Sequence, residues 1–292
     1  MVYYADQCKE QNISNKDIQH IMISPIISVI VGLGMYFACL KTGFYAQHPV
    51  WSIIFCILAF LAVQIIISLV IRKLSNRITA VLQGIMQETQ RRIMVKQNQF
   101  MRRPLGQEQM IKELEKEQAI GIDQMIKALD LYKPLYLWQP MLKKQVNTMR
   151  MMFCYQKREF DQVDVLLKNC LLMDAQSISM KMARMYVNKE DNKALDKFYK
   201  RKCFRFRGND AVLTASVYAW ILVKRERFDD AIKALADAKV RTADNPVIVK
   251  NWEALVNGKV KHFNNSQIGD TWYALYLEKP KMQKVQQNVR YR

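Results

Sequence analysis

The sequence is poor in almost everything that small-molecule chemistry requires. It has nine glycines, and three of them, Gly32, Gly34 and Gly43, fall within residues 21–71. No phosphate-cradling Gly-x-x-x-x-Gly-Lys run, dinucleotide-type Gly-x-Gly-x-x-Gly or Gly-x-Ser-x-Gly elbow is present. Three histidines, His20, His48 and His262, lie too far apart in the expected topology to converge on a metal or a triad. Six cysteines, Cys8, Cys39, Cys56, Cys154, Cys170 and Cys203, include no Cys-x-x-Cys pair, so neither a zinc site nor a disulfide framework is expected and structural thiols are the default. The acid pairs Glu190-Asp191 and Asp229-Asp230 sit where helices should begin and favour the helix dipole. No catalytic residue, metal or cofactor is expected, and the chain reads as a non-enzyme.

Charge is also missing, but only locally. Ile21–Leu40 and Val50–Ile71 are uncharged runs of 20 and 22 residues, each long enough for the roughly 20 residues that cross a bilayer core. Residues 1–71 hold three bases and three acids, so the whole net charge of +19 lies beyond them. The two runs predict a transmembrane hairpin over 21–71, after a short N-terminus at 1–20. The stripe Ser24, Ser28, Gly32 permits close packing against the second helix or against another copy, a homo-oligomer. Gln64 is expected to find a partner inside the bundle. From Arg72 to Arg103 eight bases face one acid, Glu88, while the connecting loop offers only Lys41. The positive-inside rule then puts both termini in the cytoplasm, as in an integral protein of a bacterial inner membrane.

Residues 72–139 read as amphipathic juxtamembrane helices. Ile78, Val81, Leu82, Ile85, Ile93 and Phe100 follow helical spacing up to a break at Arg103-Pro104-Leu105-Gly106. Arg72, Lys73, Arg77, Arg91 and Arg92 are candidate contacts to anionic lipid headgroups, where each nearby cation contributes about 1 kcal/mol. A second helix is expected from about Gln107 to Leu131, with Ile111, Leu114, Gln118, Ile122, Met125 and Leu129 near heptad spacing. It can form a short coiled coil or dock on the following domain, and docking is the preferred reading.

Past Pro140 no strand pattern emerges, and short helices are punctuated every 12–18 residues. Arg158–Leu167, Glu190–Phe198 and Arg227–Leu235 resemble one another, and aligning Val163, Ala194 and Ala231 gives spacings of 31 and 37. The third unit is the clearest: Ala219-Trp-Ile-Leu222 is followed by Glu226-Arg-Phe228-Asp-Asp-Ala231-Ile-Lys-Ala-Leu235-Ala-Asp-Ala238. These residues resemble the tetratricopeptide repeat (TPR), with Ala219 at the small position, Leu222 at the large one, and Ala231, Leu235 and Ala238 on the second-helix face. Val163, Cys170 and Arg201 depart from the pattern, and the closing proline is displaced to Pro246. The resemblance implies an all-α fold, a TPR-like α-solenoid over 140–277, with a concave face that binds peptides or protein partners. A last helix pair, Pro246–Asn257 and Ser266–Leu277, would close the stack; Trp252, Leu255, Trp272, Leu275 and Tyr276 read as its packing residues, with the lining of a ligand pocket as the less favoured alternative. The two-span anchor followed by repeats is similar in layout to the HemY-like membrane proteins, without their N-terminal residue pattern, so their function does not carry over.

The strip Lys197-Phe-Tyr-Lys-Arg-Lys-Cys-Phe-Arg-Phe-Arg207 interleaves six bases with four aromatics. Three readings stand: buried aromatics with a solvated charged rim, a surface for an acidic protein or lipid headgroups, or a stacking platform for single-stranded nucleic acid. Lys197, Tyr199, Lys200, Arg201, Lys202, Arg205 and Arg207 are the candidate partner contacts. The tail 278–292 is basic and polar, and disorder is expected there. The sequence therefore points to a membrane-anchored scaffold that recruits an acidic protein partner at the cytoplasmic face, with a nucleic-acid tether as the alternative.

Overall fold

The computed structural model describes residues 49–102, 106–138 and 140–280, together with Val31, Leu33, Gly34, Tyr36, Phe37, Ala38 and Lys41, each of them helical. The residues 1–30 with the stripe Ser24 and Ser28, Gly32 with most of the loop between the two apolar runs, and the tail beyond Pro280 lie outside the described residues. Every regular element among the described residues is helical. Contacts divide the chain into two units, Met1–Phe153 and Cys154–Arg292.

In the first unit, α1 (Pro49–Arg102) is a single 54-residue helix, about 80 Å long at 1.5 Å per residue. Its first half is apolar on every side and exposed, as at Ile53, Ile57, Ile65, Ile66 and Leu69. It is the one described helix long and apolar enough to cross a membrane. No proline or cap interrupts it at Arg72, so the helix continues while its apolar residues narrow to one face. Ile78 is buried with Leu129, Tyr132, Leu135, Leu142 and Val146, and Leu74 and Leu82 pack against this cluster.

The helix α2 (Gln107–Ala128) runs back along α1. The expected docking site was the following domain; the observed one is α1 itself. A heptad seam is not what holds it, since Ile111 and Gln118 are exposed while Ile122 is buried. The close approach comes at Gly121, where an added Cβ would lie 2.3 Å from Thr89 Oγ1. On one side of that crossing, Lys96 Nζ meets Glu113 Oε2 at 3.0 Å and Glu117 Oε1 at 2.9 Å. On the other, the Thr79 and Tyr132 hydroxyls are 3.0 Å apart. A 3-10 segment, Leu129–Leu137, extends α2, and α3 (Pro140–Gln156) follows.

In the second unit come α4 (Phe160–Leu167), α5 (Ala175–Val187), α6 (Asn192–Cys203), α7 (Gly208–Lys224), α8 (Phe228–Arg241) and α9 (Pro246–Val256). Five helix ends share one geometry, three of them at the turns within the expected helix pairs and two more at Ala243 and Gly258. Arg158, Lys189 and Glu226 adopt φ of 62°, 54° and 59°. The next residue's N–H closes a ring on the carbonyl five back: Glu159 to Cys154, Glu190 to Met185, Arg227 to Leu222. This is the left-handed C-cap that usually takes glycine. The residues aligned in the sequence shift by one in the middle turn. Val163 and Ala231 are buried, whereas Ala194 is exposed and Leu195 takes the buried place. The reason is one extra residue, Asp191, which caps α6 by accepting from the Lys193 N–H at 3.2 Å.

The expected closing helix Ser266–Leu277 does not form. Two 3-10 turns, Val260–His262 and Ser266–Ile268, precede a single helical turn, α10 (Asp270–Tyr273). Gly258 (φ 68°) ends the approach to this segment. Asn264 Oδ1 captures the Ser266 N–H, and Gly269, at φ 78° and ψ −145°, occupies a region closed to side-chain-bearing residues. Of the residues expected to pack here, Leu255, Trp272 and Leu275 are buried, Trp252 is half-buried and Tyr276 is exposed.

Candidate functional site

The strip 197–207 falls on the end of α6 and the loop into α7. Leu195, Phe198, Tyr199 and Cys203 point inward at helical spacing and are buried. Tyr199, expected among the partner contacts, is 3% exposed and stacks on Tyr218 with ring centroids 3.9 Å apart. Its hydroxyl accepts from Arg241 Nη2 at 2.8 Å. Burial, opposed by Arg241, pushes its pKa up to about 12. Phe206 is buried too, and Phe204 alone of the four aromatics is exposed, lying under the Arg241 guanidinium at 4.9 Å. Burial raises the Cys203 thiol to about 12, which fits the structural role expected of it.

The bases separate into two groups. Arg205 donates to the Met173 carbonyl, and Arg207 Nη1 donates to the Phe204 and Phe206 carbonyls at 2.8 and 2.9 Å. These two arginines hold the loop in shape. Lys197, Lys200 and Arg201 are exposed on α6, and Lys202 is half-buried. Lys193, which the strip had excluded, is exposed one turn earlier. Lys193, Lys197, Lys200 and Arg201 recur at i, i+4, i+7 and i+8 and so form one cationic face. The acid inside this helix, Asp196, is committed elsewhere: it accepts from Arg227 Nη1 and Nη2 at 3.1 and 2.8 Å and from the Tyr218 hydroxyl at 2.7 Å. Burial alone would raise the Asp196 carboxyl, but the Arg227 and Tyr218 bonds more than offset that and hold it below the usual range. The last turn carries Lys200, Arg201 and Lys202, where positive charge also complements the helix dipole.

A second surface implied by the resemblance is a groove along the first helices of each pair. Here α7 is buried from Ala211 to Leu222 on all sides: α8 and α5 pack against it, and the chain's own segment 260–278 bonds to it at Ser216 and Trp220. Asn265 Nδ2 donates to the Ser216 carbonyl at 3.3 Å, and Asn251 Nδ2 donates to Asn265 Oδ1 at 2.7 Å. Tyr155 Oη donates to the Leu275 carbonyl at 2.8 Å, and Tyr276 Oη donates to the Gln156 carbonyl at 3.0 Å. The Glu278 carboxylate accepts from two indoles, Trp220 Nε1 at 2.7 Å and Trp272 Nε1 at 3.0 Å. Glu278, expected to open a disordered tail, is instead a fixed anchor.

The headgroup candidates also divide. Along an unbroken helix Arg72, Lys73 and Arg77 lie within about 9 Å of Ile71, but Arg91 and Arg92 lie about 30 Å beyond it. Arg92 is half-buried and donates to Gln124 Oε1 at 3.2 Å. Of the five candidates, Arg72, Lys73 and Arg77 are exposed and lie beside the apolar run. Among the described residues no group of three or more His, Cys, Asp or Glu side chains is placed to hold a metal.

No protein-family model matches the chain, no curated protein matches it, and no solved structure matches its fold.

Proposed function

We propose that this protein is a membrane-anchored, TPR-like scaffold that recruits an acidic protein partner at the cytoplasmic face of a bacterial inner membrane. The first half of α1, with the preceding apolar run, forms the anchoring hairpin in this reading. The buried positions five or six residues past each pair turn, Val163, Leu195 and Ala231, support the repeat interpretation. One observation carries the recruitment role: the outer face of α6 presents Lys193, Lys197, Lys200 and Arg201 together, while the acid among them is already spent on Arg227 and Tyr218. The occupied groove directs recognition to this face rather than to the concave one. Nucleic acid is the weaker alternative, since single-strand binding relies on stacked bases and three of the four aromatics are in the core.

The test is affinity capture from detergent-solubilised membranes with the full chain and with the variant K197E/K200E/R201E. The scaffold reading expects a protein with an acidic surface that binds the purified chain directly, weakens as salt is raised, and is lost with the variant. Equal capture by both chains, or capture only of RNA or single-stranded DNA, overturns it.

A further inference from the structure

The end of the α1–α2 hairpin nearest the apolar half of α1 carries a surface that the anchor by itself does not explain. Thr79 faces Tyr132 across the hairpin at 3.0 Å. From Thr79, α1 runs back seven residues to Arg72, about 10 Å. From Tyr132 the 3-10 segment runs forward six residues to Trp138, about 12 Å at its steeper rise. Leu74 packs into the same cluster as Leu135 and Leu142. Trp138 and the start of α3 therefore come level with Arg72-Lys73, where the apolar run ends.

The tip at that level is apolar and cationic at once. Leu131 and Met141 are exposed. Trp138 is half-buried with its indole N–H turned inward and unpartnered, so the part of the ring left outside is carbon. Lys143 and Lys144, two and three residues past Met141, are exposed, as is Lys133, which is paired with Asp130. From Leu131 to Met149 there is no acid, and α1 has none before Glu88. The nearest carboxylate, Asp130, is bound by Arg150 at 2.7 Å and by Lys133 at 3.2 Å.

We infer that this tip, Leu131, Trp138 and Met141 with Lys143 and Lys144, is a second membrane contact seated in the headgroup layer of an anionic phospholipid leaflet. Tryptophan favours that layer because its ring is apolar and broad, and lysines there meet lipid phosphates. The contact fixes the hairpin against the membrane at two points instead of one. The inference rests on the first half of α1 being a span, and the experiment separates the two.

The full chain is first tested for extraction from membranes by alkaline carbonate; release into the supernatant overturns the span. The retained chain is then placed in nanodiscs of zwitterionic lipid, with or without phosphatidylglycerol, whose acyl chains carry bromine near the headgroup. The Trp138 emission is obtained by difference from Trp138→Phe. Docking predicts that bromine removes most of this emission in anionic discs, and that K143E/K144E restores it. Trp138 emission that bromine leaves intact overturns the docking alone, whether iodide then quenches it, as for a solvent-facing ring, or it changes with the number of copies per disc. If Trp138→Phe loses its near-ultraviolet circular dichroism, total emission is compared with and without K143E/K144E. Quenching unchanged by those two exposed substitutions overturns the docking.

Discussion

Glu278→Ala tests whether the segment over α7 is held by a charged clamp or only by apolar burial. The carboxylate accepts from Trp220 and Trp272, which are 5% and 0% exposed. Removing it leaves two indole N–H groups inside the protein without an acceptor. A hydrogen bond to a charged group contributes about 1.5–3 kcal/mol. Because both bonds share one carboxylate, their combined loss is taken as about 2–3 kcal/mol of the local opening free energy rather than twice a single bond. At 1.4 kcal/mol per factor of ten, amides protected by the closed segment should exchange roughly 30- to 150-fold faster. The reporters are the N–H groups of Trp272, Ala274 and Leu275, which donate to Gly269, Asp270 and Trp272 carbonyls. Hydrogen–deuterium exchange of the full chain in detergent reads them directly. Glu278→Gln keeps one acceptor oxygen and should fall between the two. Amides of α6 should not change, which marks the opening as local. Acceleration of less than about 3-fold at the three reporters would refute the clamp and assign the segment's closure to the burial of Trp272 and Leu275.

Three other outcomes follow from the geometry. Lys189 is exposed at φ 54°, where a side chain is strained, so Lys189→Gly should raise stability in a urea melt by about 0.5–1 kcal/mol; a loss there would contradict the turn assignment. Gly121→Ala would press a methyl to 2.3 Å from Thr89 Oγ1 and 2.8 Å from its Cβ, costing about 1–3 kcal/mol of hairpin stability, and Thr89→Ala should recover part of it, as thermal melts of single and double variants will show. Asp164 is held below its ordinary 3.8 first by the Arg184 hydrogen bonds at 2.8 and 2.6 Å. A depressed carboxyl contributes stability that is present above about pH 4 and lost as pH falls through the lower folded value. Melting temperatures from pH 5 to 2 should therefore drop less steeply in Asp164→Asn than in the parent.

The end of α1 and the face it buries were legible because their signals are local. Pro104 stops α1 at Arg102, and one-sided spacing from Leu74 marks the face that Ile78 buries. The inward turn of Tyr199 was legible as well, but only by period. Leu195, Phe198, Tyr199 and Cys203 fall at i, i+3, i+4 and i+8, a core stripe that an eleven-residue composition count blurs. The shift from Ala194 to Leu195 needed the cap at Asp191, a single residue whose hydrogen bond decides the register. Nothing local announces the fold-back of 260–278. Its fixing contacts join Glu278 to a tryptophan 58 residues away and Leu275 to a tyrosine 120 residues away, and such pairings leave no trace in periodicity.

The basic excess also changes meaning once its partners are placed. Arg72–Arg103 carries +7, which the sequence assigns to topology and lipid headgroups together. Yet Lys96 is bound between Glu113 and Glu117, Arg92 is tied to Gln124, and Arg91 stands about 30 Å along the helix past the apolar run. Of the cations considered for lipid contact, Arg72, Lys73 and Arg77 lie beside the apolar run, and the proposed second contact adds Lys143 and Lys144 from a stretch outside the positive-inside count. In the 197–207 strip the same sorting removes Arg205 and Arg207, loop residues that hold carbonyls, and adds Lys193 from α6. The two surviving sets respond to different perturbations. Lipid composition should govern the first, and ionic strength in a lipid-free complex should govern the second. A charge reversal in one set that altered the other's readout would mean that the two surfaces are not independent.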